Sequence, residues 1–105
     1  MYRQGDVLII PTRHRLARSA KLVARDGRGR IVLAYGEVTG HAHALDDALS
    51  ELFEEQGGRL YLRVAADAPA ALRHEEHAAL TLPPGLYEIR HQREYSPEAV
   101  RRVSD

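Results

Sequence analysis

Residues 51–64, Glu51-Leu52-Phe53-Glu54-Glu55-Gln56-Gly57-Gly58-Arg59-Leu60-Tyr61-Leu62-Arg63-Val64, decide how this chain is read. From Arg59 to Val64 apolar and polar side chains alternate with the period of two that marks a strand. Two glycines after Gln56 suit a tight reversal, so the stretch reads as a β-hairpin. A helix competes for its first half. Leu45, Ala48, Leu49, Leu52 and Phe53 follow the i, i+3, i+4, i+7, i+8 spacing, with Gly57 as a stop. The favoured reading is a short helix or turn at 46–50 that runs into the hairpin.

Working outward, Asp6 to Ile10 is an apolar run ended by Pro11 and reads as a buried strand. Residues 12–19 are polar and basic, a loop. Lys21 to Arg25 and Arg30 to Tyr35 flank Asp26-Gly27-Arg28-Gly29, which predicts another hairpin. Gly36 and Gly40 bracket Glu37-Val38-Thr39 and suggest a bend or bulge. Ala65 to Ala71 is a connector. Strands are expected at Ala78 to Leu82 and Leu86 to Tyr95, on either side of the Pro83-Pro84-Gly85 turn. Ser96-Pro97-Glu98 opens a C-terminal helix in the order cap, proline, acid, and the helix runs to about Val103. The expected fold is mainly β: one domain over residues 1–105, a small barrel or sandwich built from hairpins, with a short C-terminal α-helix.

Composition narrows the function. The 105 residues are 44% hydrophobic and 29% charged, ordinary for a globular domain. There is no long apolar segment and no basic-then-apolar leader, so the expectation is a cytoplasmic protein without a membrane span. The absence of cysteine excludes thiolate ligands and disulfides. Fifteen basic residues balance fifteen acidic ones, which argues against nucleic acid as a partner. Arginines do gather at Arg13, Arg15 and Arg18 and at Arg25, Arg28 and Arg30.

Chemistry concentrates in His41-Ala42-His43 and His74-Glu75-Glu76-His77, which hold four of the six histidines. Imidazole is the commonest metal ligand. His41 and His43 share a face only on an extended segment, where residues two apart sit roughly 6.5–7 Å from each other. His74 and His77 meet only on a helical turn, across a tight turn, or in a wider loop. Either geometry leaves Glu75 or Glu76 beside the ion as a ligand, an orienter of an imidazole or a general base. His14 is expected in solvent. His91 is expected at the surface, with a ligand role as the alternative. Tyr87 and Tyr95 are read as packing residues, and Arg93, Glu94 and Tyr95 as an anchor for the helix or an anion.

Gly36-Glu-Val-Thr-Gly-His41-Ala-His43, followed by Asp46 and Asp47, resembles the first motif of the cupin family. Leu82-Pro83-Pro84-Gly85 resembles the Pro-x-Gly of the second. The resemblance implies a small metal-holding β-barrel. Glu88 stands where the second-motif histidine would fall, the gap from Gly36 to His41 is one residue short, and His-Glu-Glu-His has no cupin counterpart.

Two functions follow. The first is a divalent metal site on His41, His43, His74 and His77. Zinc is favoured, and iron, nickel and manganese accept the same ligand types. Four imidazoles would close the site; three would leave a position open for hydrolytic or oxygen chemistry on an unknown small molecule, with Glu75 or Glu76 as base. The second is a non-catalytic module that binds a protein or nucleic acid through its arginine-rich loops. Exposed strand edges predict a homo-oligomer in either case.

Overall fold

A computed structural model describes residues 1–35, 41–67, 69–75 and 77–92. The expected bend at Gly36 and Gly40, the role of Glu76, the Arg93-Glu94-Tyr95 group and the C-terminal helix all lie outside the described residues. Within them the chain is mainly β: β1 (Tyr2–Gln4), β2 (Val7–Pro11), β3 (Lys21–Leu22), β4 (Ile31–Tyr35), β5 (Ala42–Leu45), β6 (Glu51–Glu54), β7 (Leu60–Val64), β8 (Ala70–Leu72), β9 (Leu80–Leu82) and β10 (Gly85–His91). No α-helix occurs among the described residues.

Six strands form one antiparallel sheet in the order β1-β2-β10-β7-β6-β3; β4–β5 and β8–β9 form two further ladders. The expected closure into a barrel is not seen. β1 and β3 are free edges of the large sheet, only three and two residues long, and neither pairs with the small ladders. One core nonetheless spans all three sheets. Val7, Ile9, Leu52, Leu62, Val64, Tyr87 and Ile89 meet Ile31, Leu33, Leu45, Leu72 and Leu82. On β10 this alternation is plain, with Tyr87 and Ile89 inward between the more exposed Glu88 and Arg90. Tyr87 is the packing residue it was expected to be, edge-on to Tyr2 at 6.1 Å.

The β6–β7 hairpin forms as read, with Gly57 and Gly58 at φ +87° and +82°. Residues 46–50 contain no helix; the Asp47 carboxylate instead accepts the Ser50 amide at 2.9 Å and turns the chain. The hairpin expected around Asp26 is half right. Asp26 does organise a turn, its carboxylate accepting the amides of Arg28 and Arg30. Yet β3 pairs with β6, and β4 pairs with β5. Local turn chemistry was satisfied while partner choice went to longer-range packing. The Pro83–Gly85 turn similarly carries the chain from β9 into a different sheet. The supposed connector contributes β8, and residues 2–11 form an unforeseen β1–β2 hairpin across Gly5-Asp6.

Two loops are fastened by side chains. His14 is exposed, as expected, and also stacks on Tyr61 at 4.4 Å and bonds the Glu55 carboxylate at 3.0 Å, while Glu55 accepts the Ala17 amide. These contacts lay the 12–19 loop over Tyr61, which is 1% exposed. Arg25 donates to the carbonyls of Gly29, Asp47 and Ser50, so part of the second arginine cluster is structural.

Candidate metal centre

The two histidine clusters meet. His41 immediately precedes β5 and His43 lies on it, as an extended His-x-His requires. Opposite them, β4 carries an irregular register between Val32 and Ala34, a bulge of the kind that re-aims side chains beside a site. His74 and His77 sit in the 73–79 connection between β8 and β9, so the wider loop is the form adopted. This loop is tied to β5 by a two-way bridge: Ala44 and Arg73 exchange amide-to-carbonyl bonds of 3.0 and 2.9 Å.

His74 is the hub. Its ring centroid lies 4.2 Å from that of His43, 4.7 Å from His77 and 5.8 Å from His41. The four rings form one cluster. The His43 ring is tilted by 30° against His74 and lies 5.9 Å from His77 with 18° between planes. The ligand atoms of His41, His74 and Glu75 do converge, all within 4.8 Å of one another. Ligands of a tetrahedral ion at 2.1 Å are about 3.4 Å apart, so the three would draw together around zinc. Ala42 donates its amide to Glu75 Oε2 at 3.1 Å and holds the carboxylate beside His41. The Glu75 pKa is lowered, first by its own amide, then by that of Ala42, with His41 and His74 adding attraction. It is an anion at neutral pH.

Beneath the rings lies a residue that carries no obvious chemistry in the sequence. Gln4, 2% exposed, donates from Nε2 to the carbonyls of Leu72 at 2.9 Å and Ala78 at 3.0 Å. Both amide hydrogens are then committed, and Oε1 can only accept. The atom facing it, 2.9 Å away, is His43 Nδ1. His43 therefore carries its proton on Nδ1 and leaves Nε2 with a lone pair. Burial, reinforced by His74 and His77, pushes its pKa down to about 4, so the ring is neutral at pH 7. Gly5 completes the support. It turns at φ +57°, and a Cβ there would stand 2.7 Å from His77 Nε2 and 3.2 Å from His43 Cε1. The two-residue Gly5-Asp6 turn between Gln4 and Val7 was the available sequence signal for this hairpin.

His91 places its Nε2 3.1 Å from the Leu33 carbonyl oxygen. His14 lies on the far face of the large sheet, over Tyr61.

An all-antiparallel β domain with a histidine and carboxylate centre is thus the class that fold and geometry define. The chain belongs to the family described as a domain of unknown function (DUF8820), whose match spans residues 3–92 and so includes Gln4 and every histidine of the cluster. Searches of the curated proteins and of the solved structures find no match to it.

Proposed function

We propose that this protein holds one divalent metal ion on His41, His74 and Glu75, with zinc as the first candidate. The observation that carries this reading is the convergence of those three ligand atoms within 4.8 Å on two segments that the Ala44–Arg73 bridge fastens together. Two imidazoles and a carboxylate leave a fourth position for water, the arrangement of catalytic rather than structural zinc. An ion held there would supply a Lewis acid suited to hydrolysis. In this reading Glu75 is a ligand, and His43 supports His74 from behind instead of binding the ion. The likeness to the first cupin motif is then confined to His41 and His43, since His74 and Glu75 come from the segment without a cupin counterpart.

Metal analysis of purified protein, beside a His41→Ala/His74→Ala double variant, tests the reading. One equivalent of metal in the wild type and none in the variant is expected. A wild type that folds but takes up no zinc, iron, nickel or manganese would overturn it. The alternative, a module that docks partners through its arginine loops, draws less support because Arg25 and Arg30 are engaged within the fold.

A further inference from the structure

Next to the converging ligands is a cavity of about 330 Å³, at the small end of pockets that hold organic ligands. His74 and Glu75 line it, Ala42 and Ala44 of β5 add apolar surface, and Arg30, Arg73 and Asp46 supply the rest of its charged lining. Arg73 is held here by its backbone bridge to Ala44, and its guanidinium makes no ion pair with another described residue. Arg30 spends only Nε on Asp26, at 2.9 Å.

The charges decide what fits. Asp26 offsets Arg30, Arg73 contributes one positive charge, and Asp46 and Glu75 contribute two negative ones. Among the described residues the balance is one negative charge without metal and one positive charge with a divalent ion. A planar guanidinium fork in the lining is matched to carboxylate. We propose that this pocket takes a small organic carboxylic acid, its carboxylate on Arg73 and its apolar body over Ala42 and Ala44, and that it binds the acid only with the metal in place. The proposal rests on the metal reading above.

Phenylacetate and its neutral counterpart phenylacetamide are suitable probes, titrated by calorimetry into zinc-loaded and EDTA-stripped protein whose zinc content is measured in parallel. The zinc form should bind the acid at least about tenfold more tightly than the amide, a difference of roughly 1.4 kcal/mol. Arg73→Gln, at an exposed side chain whose backbone makes the bridge, should abolish that preference at unchanged zinc content. Equal binding of acid and amide by the zinc form would overturn the proposal, as would an acid preference that survives Arg73→Gln or removal of zinc. Each of these results leaves the metal site standing. A wild type that takes up none of zinc, iron, nickel and manganese overturns both readings, and the metal analysis alone distinguishes that case.

Discussion

His43 donates its Nδ1 hydrogen to Gln4 Oε1 at 2.9 Å, and this one bond joins the first hairpin of the chain to the histidine cluster. Because Nε2 of the same glutamine holds the carbonyls of Leu72 and Ala78, Gln4 clamps both ends of the loop that carries His74 and Glu75. The site is thus assembled around a buried amide.

Replacing Gln4 by leucine keeps the volume and removes every bond. Two carbonyls and an imidazole N–H are then left without partners in a buried place, at about 1–3 kcal/mol for each group that water cannot reach. The expected loss is about 3 kcal/mol, a fall in melting temperature of roughly 15 °C for a domain of this size. Gln4→Glu keeps an acceptor for His43 but loses both donors. It should therefore destabilise comparably while nitrogen NMR still shows the Nδ1–H tautomer, whereas Gln4→Leu should lose it. A tautomer that does not respond to Gln4→Leu would refute the clamp.

Gly5→Ala meets two separate obstacles. A side chain at φ +57° costs on the order of 1 kcal/mol, and its Cβ would stand 2.7 Å from His77 Nε2. The second obstacle eases when the ring is removed, leaving His43 Cε1 at 3.2 Å. In a double-mutant cycle, Gly5→Ala should cost less in a His77→Ala background than in the wild type by at least about 0.5 kcal/mol, as for residues in contact. Additive effects would show that His77 does not rest on the turn.

The low pKa of His43 predicts how metal-free protein responds to acid. Its folded value, about 4, lies below its ordinary value of 6.5. Between those values the unfolded chain binds the proton and the folded one resists it, so stability rises with pH across that window. The contribution is fully present above pH 6.5, is lost as pH falls towards 4, and reaches about 3 kcal/mol. His74 and His77 strengthen the effect, and Asp6 and Glu75 oppose it. Urea unfolding at pH 7 and pH 4.5 should show a smaller difference in His43→Gln than in the wild type. An unchanged difference would mean that another group carries the acid sensitivity.

How much of this was legible in the sequence depended on the range of the interaction concerned. Residues 56–58 and the alternation of 59–64 settle the β6–β7 hairpin locally, and the structure contains it. His43 lies on β5 and His41 immediately before it, in the β context the spacing called for. Asp26 organises its turn as its neighbours dictate, yet the strands on either side of it join different sheets, because strand partners are chosen by burial across the whole chain. Gln4 was invisible for the same reason. Its three partners lie 39, 68 and 74 residues away, and nothing near it marks it as more than a polar residue at a strand end. The convergence of Glu75 with His41 and His74, rather than of four imidazoles, also depends on a loop shape that spacing alone leaves open.

That last distinction can be measured. If the ion sits on His41, His74 and Glu75, then His41→Ala, His74→Ala and Glu75→Gln each delete a direct ligand. Each should weaken zinc binding by more than the 10–100-fold that loss of an outer-shell partner typically costs. His77→Ala removes a ring that packs 4.7 Å from His74 and over Gly5 but lies outside the convergent group. It should stay within about tenfold of the wild type, because only the orientation of His74 is disturbed. Competition titration against a chromophoric zinc chelator would rank the four variants. A His77→Ala loss as large as that of His41→Ala, with Glu75→Gln near wild type, would replace the two-histidine, one-carboxylate centre by a site made of imidazoles alone.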